Sequence, residues 1–309
     1  MSQLSYFEAI VMGAIQGITE LFPISSLGHS VIIPALVGGQ WAKDLNVSAP
    51  QSPYLAFIVG LHVATALALL VFFWRDWVRI IGGFFTSIRY RRVQTGPERL
   101  AWLIILATIP VGIAGLALEH VFRTLLGQPL PAAAFLAVNG VILFFGEWLR
   151  RRAVKREGEP AIAASRVANA EFEHGDTVSD ERISKMRFGR GVLIGSSQIL
   201  ALAAGISRSG VAMVSGMATG LSHREAARFS FLLATPVIFA AGLLKLPDLF
   251  GPLGAGIGGQ VLAGSAASFV AALISVAFLD RYFRTRTLTP FAIYCLLAGI
   301  VSFVILAVR

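Results

Sequence analysis

Six apolar runs, each about as long as a bilayer is thick, decide what this chain can fold into. They extend from Tyr54 to Trp74, Leu100 to Leu118, Pro131 to Leu149, Ala226 to Lys245, Gly258 to Leu279 and Leu288 to Val308. A helix of roughly 20 apolar residues crosses a hydrocarbon core. In lipid every backbone polar group must be satisfied internally, so runs of this length predict helices. The expected class is an all-α, polytopic membrane protein. Composition excludes a soluble globular domain: 56% of residues are hydrophobic, 14% are charged, and the mean hydropathy is +0.73.

The charge pattern orients these runs. A net charge of +9 would suit a nucleic-acid binder, but the basic residues cluster in segments between apolar runs, so no nucleic-acid partner is expected. Those segments are Arg75 to Arg99, Arg150 to Arg190 and Asp280 to Thr287, and the positive-inside rule assigns all three to the cytoplasm. Parity then constrains the rest. The stretch from Gly191 to Leu221 must begin and end on the cytoplasmic side, so it cannot cross once. The stretch from Leu4 to Val37, broken by Pro23 and Gly28 and followed by an outer loop at Gln40 to Pro53, reads as a hairpin entering from outside. Six transmembrane helices plus two re-entrant helical hairpins result.

The hairpins resemble each other. Gly13 to Gln16 aligns with Gly195 to Gln198, and the same register places Ile24 and Ser25 on Ile206 and Ser207, and Gly28 on Gly210. Pro131 and Gly140 echo Pro290 and Gly299. Two oppositely oriented copies, each with a broken helix, predict an inverted repeat with a site near the midplane. Residues 1–309 thus form a single integral membrane domain. Its halves are 1–149 and 189–309, and 150–188 is a cytoplasmic loop, partly disordered over its mixed-charge stretch. The lone Cys295 lies in an apolar run and reads as inert core. The first segment shows no basic start and no small-residue cleavage site, and is read as retained.

Each elbow carries polar residues that are costly at membrane depth. In A-G-I-S-R-S-G, Ala204 to Gly210, Arg208 offers a planar fork of donors for phosphate oxygens. Ser207 and Ser209 flank it, and Gly205 and Gly210 let backbone N–H groups approach an anion at a helix N-terminus. In Q-G-I-T-E-L-F-P-I-S-S-L-G-H, Gln16 to His29, Ser25, Ser26, Gly28 and His29 supply hydroxyls, a close backbone approach and an imidazole. Glu20 supplies a carboxylate able to hold a divalent cation or accept a proton, with Gln16 one turn before it. Together they describe phosphoryl chemistry. The competing structural roles are an Arg208–Glu20 pair that merely neutralises both charges, serines that only cap the elbows, and a Gln16 that only bridges helices. Ser26 and His29 compete for the part of nucleophile. His62, His120 and His223 lie outside the elbows and read as ordinary polar or interfacial residues.

The two strings, with R-F-S-F-L-L-A-T-P at Arg228 to Pro236 and P-F-A-I-Y at Pro290 to Tyr294, closely resemble those of the undecaprenyl-diphosphate phosphatase family of bacterial inner membranes. The resemblance implies a multi-pass enzyme with a site opening to the outer side. It would hydrolyse undecaprenyl diphosphate to undecaprenyl phosphate and inorganic phosphate, recycling the carrier lipid for the cell wall and conferring bacitracin resistance when abundant. It also implies a divalent cation, Mg²⁺ or Ca²⁺, and allows a homodimer. By position, Gln16 and Glu20 match the family's pair of a Glu or Gln followed by a Glu, Ser26 and His29 its serine and histidine, and Arg208 its arginine. The chain departs from the pattern at Leu27, Ala204 and Ala212, where a small polar residue, a proline and a threonine are usual. Lipid phosphatases of the phosphatidate type would need an Asp three residues beyond a His after the S-R string, and Val214 occupies that region. A flippase or transporter of the carrier lipid without phosphatase activity is the alternative from another class.

Overall fold

A computed structural model of the chain describes residues 4–45, 53–121, 127–157, 175–251 and 256–309. Every regular element among them is helical. The first half comprises α1 (Tyr6–Thr19), α2 (Ser26–Val37), the short α3 (Gly39–Asp44), α4 (Pro53–Phe72), α5 (Trp74–Tyr90), α6 (Gly96–Val121) and α7 (Pro129–Glu157). After α8 (Gly175–Ser184), the second half comprises α9 (Phe188–Ser197), a 3₁₀ turn (Gln198–Leu202), α10 (Arg208–Ala218), α11 (His223–Phe250), α12 (Gly258–Tyr282) and α13 (Thr289–Val308). Five segments are long and apolar enough to cross a membrane: Gly96–Leu118, Pro129–Arg152, His223–Leu244, Gly258–Tyr282 and Thr289–Val308. The number rises to six if α4 and α5, bent by 86°, count as one broken span. The protein is a polytopic membrane protein.

Helix packing pairs the halves in a reciprocal way. The first elbow helix, α1, lies along α12, and its counterpart α9 lies along α6; α4 packs on α11, and α7 on α13. Close approach is what the aligned glycines permit. A Cβ on Gly13 would fall 2.2 Å from the Gly264 carbonyl oxygen of α12, and one on Gly195 1.8 Å from the Ala107 carbonyl oxygen of α6. The echo at Gly140 and Gly299 marks the α7–α13 contact, where each glycine faces backbone of the opposite helix. Small residues that bring backbones together are how helices gain contact in lipid, where burial of apolar surface drives little. Central α11 has 61% of its apolar window buried, against 22% for peripheral α13.

Two expectations need correction. The segment Arg75 to Arg99, read as a basic loop, is largely the helix α5. Its exposed apolar residues Trp74, Val78, Ile81, Phe85 and Ile88 recur at helical spacing along one face, the pattern of a helix lying along a membrane surface. Counting charges alone hid that stripe among arginines. The expected loop 150–188 is likewise partly helical: α7 continues to Glu157, and α8 docks against the bundle. Arg228, the first residue of the R-F-S-F string, is buried between Asp180 of α8 at 2.7 Å and Asp76 of α5 at 2.9 Å. Burial pushes the Asp180 carboxyl above the ordinary carboxylate range, and Arg228 works against that shift. Arg182 of α8 reaches Glu225 at 3.3 Å. Residues 158–174, within the stretch read as disordered, and 46–52, within the expected outer loop, lie outside the described residues.

Candidate active site

The two elbows meet. In the first, α1 ends at Thr19, the chain turns through Glu20 to Ile24, and α2 starts at Ser26. Ser25 caps α2 with φ at 70°, a left-handed conformation costly for a residue with a Cβ. Its side chain holds it there. The Ser25 hydroxyl oxygen accepts from the backbone N–H of Gly28 and from that of Gly205 in the second elbow, both at 3.2 Å. Gly205 has φ of 106°, and a Cβ there would meet the Ala132 carbonyl oxygen at 2.3 Å, so only glycine fits. Ser207 caps α10 by accepting from the Gly210 N–H at 3.1 Å.

Asn139, fully buried on α7, clips the elbows together. Its Nδ2 donates to the Pro23 carbonyl at 3.0 Å, and its Oδ1 accepts from the Ser207 N–H at 3.0 Å. Ser209 adds a hydrogen bond from its hydroxyl to the Phe22 carbonyl at 3.2 Å.

Between the elbows lies a cavity of ≈ 180 Å³. A water takes roughly 30 Å³ of liquid, so this space admits several waters or a small anion. Its polar wall is Glu20, Ser25, Ser26, His62, Gln198, Ser207 and Arg208, and its apolar wall includes Leu27, Val111, Leu202 and Val237. The Glu20 carboxylate is the hub. One oxygen accepts from Arg208, and the other from the Ser26 hydroxyl and, at 3.0 Å, from Gln16 Nε2. Both partners of the ion pair are shielded, with 6% of the Glu20 side chain and 16% of Arg208 exposed. A pair so buried needs the extra hydrogen bonds it has here. The positive ends of α2 and α10 are turned to the same place, because Ser26 and Arg208 are their first residues.

The structure gathers Glu20, Ser25, Ser26, Ser207 and Arg208 on the cavity wall and sets the other expected residues behind it. Gln16 steadies Glu20. Gly28 packs against Gly205, Gly210 packs near Pro23 and Ser207, and Gly205 and Ser209 join the elbows. His29 is turned away. Its Nδ1 donates to the Ser25 carbonyl at 2.7 Å, and its Nε2, which then carries the lone pair, accepts from the Tyr294 hydroxyl at 2.7 Å. With both nitrogens occupied and no place on the cavity wall, His29 braces the backbone that carries Ser25 and Ser26. Glu8 closes a capping box with Ser5 at the start of α1.

Sequence reasoning missed three residues. His62 was set aside, yet its Nδ1 donates to the Ile58 carbonyl at 2.9 Å and its Nε2 comes within 3.6 Å of Glu20. Asn139 was passed over inside an apolar run, where a lone carboxamide is itself a signal. Gln198 served only to align the repeats. Of the departures, Leu27 lines the cavity, and Ala204 and Ala212 are buried.

The expected cation finds one carboxylate. Among the described residues no three His, Cys, Asp or Glu side chains come together to hold a metal ion, and both Glu20 oxygens already accept hydrogen bonds. This donor set does not build a protein cage. Glu20 is the one carboxylate on the cavity wall that could lend an oxygen to a hard cation.

Comparison with known proteins shows the family. The family described as "Bacitracin resistance protein BacA" matches residues 9–301. The chain belongs to that family. It is 67% identical over 308 residues to the undecaprenyl-diphosphatase of Mycolicibacterium paratuberculosis, covering 100% of this chain and 99% of that protein. It is 54% identical to undecaprenyl-diphosphatase 2 of Frankia alni, covering 97% of each chain. It is 40% identical to undecaprenyl-diphosphatase 2 of Chromobacterium violaceum, covering 97% of this chain and 98% of that one. In this BacA-family member, Glu20, Ser25, Ser26, Ser207 and Arg208 on the cavity wall come from the two strings that carried the resemblance.

Proposed function

We propose that the protein is an undecaprenyl-diphosphate phosphatase, which hydrolyses undecaprenyl diphosphate to undecaprenyl phosphate and inorganic phosphate. The observation that carries the chemistry is the chain of contacts from the Ser26 hydroxyl to Glu20 to Arg208 on the wall of one cavity. The names of the BacA-family relatives supply the substrate. The isoprenoid lies among the apolar helices and its diphosphate enters between the elbows. Arg208 and the N–H groups at the starts of α2 and α10 neutralise charge on the terminal phosphoryl group. Ser26 Oγ attacks phosphorus as its proton passes to Glu20. The bond from phosphorus to the bridging oxygen breaks, and undecaprenyl phosphate leaves. Water then attacks the serine phosphate, the serine takes back its proton, and inorganic phosphate is released. A divalent cation, Mg²⁺ or Ca²⁺, would enter on the diphosphate with Glu20 as its protein ligand and supply further charge neutralisation.

The remaining reading concerns placement. The halves are oppositely oriented repeats in the bacterial inner membrane, and the cavity opens to the outer side, with the arginine-rich ends of α5 and α7 and the α12–α13 connection in the cytoplasm. Self-association as a homodimer is part of this reading and is checked by the mass of the detergent-solubilised particle. The deciding experiment measures phosphate release from undecaprenyl diphosphate by purified protein, with and without chelator, beside Arg208→Ala. Chelator-sensitive release that disappears in the variant is the expected result. Folded protein that binds the lipid but releases nothing would instead favour transport of the carrier.

A further inference from the structure

Gln198 is nearly fully buried and lines the cavity, and among the described residues its Nε2 has no hydrogen-bond partner. A buried donor left unsatisfied costs roughly 1–3 kcal/mol, so a native structure that keeps one in a cavity implies a partner that arrives there. The repeat explains why the donor is free. Gln198 aligns with Gln16, whose Nε2 is spent on Glu20 at 3.0 Å. At the same offset the counterpart of Glu20 is Leu202, and it too lines the cavity. The second half has kept the amide and lost the carboxylate that would have occupied it. The neighbouring charge in this half is Arg208, so the free N–H₂ shares its cavity with a fixed cation and with the N-terminus of α10. Such a set of donors calls for an anion.

We propose that Gln198 is a substrate-binding residue that donates from Nε2 to a phosphate oxygen of the diphosphate, beside Arg208. The assignment rests on the phosphatase reading for the identity of the anion. Its signature is distinct from that of a structural glutamine: removing an unpaired buried donor should leave the fold as stable as before or more so, while weakening the anion's hold.

The test compares full-length wild type, Gln198→Leu and Gln198→Met in detergent. It uses two readouts, the kinetics of phosphate release from undecaprenyl diphosphate and the rise in Tm caused by inorganic pyrophosphate. KM is expected to rise about 10-fold or more in both variants, with Tm in the absence of ligand unchanged or higher and the pyrophosphate shift lost. An unchanged KM and an unchanged pyrophosphate shift would overturn the proposal. A Tm that falls in both variants along with activity would overturn it too, by making Gln198 a structural residue. If wild type binds pyrophosphate through Gln198 but releases no phosphate, the anion subsite stands and the phosphatase reading falls.

Discussion

The two elbows share a backbone plan and differ in chemistry. Each ends a helix, turns at a serine cap and starts a short helix at the cavity: Ser25 before α2 in the first, Ser207 before α10 in the second. At matching positions the first carries Gln16, Glu20 and Ser26, and the second carries Gln198, Leu202 and Arg208. One elbow holds the carboxylate and the hydroxyl, and the other holds the cation and the free amide donor. Neither is complete alone. A single hairpin would bury an unpaired charge, whichever half it came from. At three matching positions the two turns differ, and the difference sets a carboxylate facing a guanidinium across one cavity.

The largest effect should come from deleting the clamp. Arg208→Ala is expected to lower kcat/KM by about 10³ or more, and also to destabilise the protein, because Glu20 keeps its charge without its partner. Pairing it with Glu20→Gln sharpens the comparison. The double variant should regain much of the lost Tm and none of the activity. If it regains activity, the ion pair was a structural contact and the division of labour between elbows is wrong.

The adjacent serines of the first elbow should separate next. Ser26→Ala is expected to reduce kcat by about 10²–10³ with Tm nearly unchanged. Ser25→Ala leaves the Gly28 and Gly205 N–H groups unpaired and should cost about 1–3 kcal/mol of stability, with a smaller loss of kcat. Matched rate losses for the two variants, measured beside thermal unfolding, would mean that neither hydroxyl is the nucleophile.

These predictions rest on residues that differed in how plainly the sequence announced them. Apolar run length was enough for the crossing helices, because lipid leaves the backbone few options. Glu20 and Arg208 were legible because charge at membrane depth is expensive. The helix α5 was not, since its arginines outweighed an apolar stripe that only helical spacing exposes. His62 and Gln198 were hidden for another reason. Each is one polar residue in an apolar segment, and only the fold sets it on the cavity wall with Glu20 and Arg208. His29 is the opposite case. Its place in a motif points to chemistry, while its two ring nitrogens are engaged by the Ser25 carbonyl and the Tyr294 hydroxyl behind the cavity wall.

Asn139 ties the elbows without touching the cavity, so its loss should be felt mainly as stability. Asn139→Leu leaves the Ser207 N–H unpaired and the Pro23 carbonyl with only the weak Cys295 thiol contact at 3.8 Å, an expected cost of about 1–3 kcal/mol. kcat should fall about 10-fold as the elbows lose register. Thermal unfolding and steady-state rates on the same preparation check both. An unchanged Tm would mean that the elbows hold each other through Ser25, Ser209 and the Glu20–Arg208 pair without Asn139.

The smallest effect tests the support given to the first elbow from behind. Tyr294 gives its hydroxyl to His29 Nε2, and their rings stack with centroids 5.8 Å apart. Tyr294→Phe keeps the stack and removes one hydrogen bond, so a loss of about 0.5–1.5 kcal/mol is expected, with kcat down no more than a few-fold. If His29 were the nucleophile, freeing its Nε2 would instead change the chemical step directly, and a phosphorylated histidine would accumulate. Denaturing quenches of wild type and Tyr294→Phe during turnover distinguish the cases, because phosphoserine survives acid and phosphohistidine does not. An acid-stable phosphate on Ser26 keeps His29 as a brace. An acid-labile one on His29 would move the attacking group to the far side of α2 and require the cavity and the nucleophile to exchange faces during turnover.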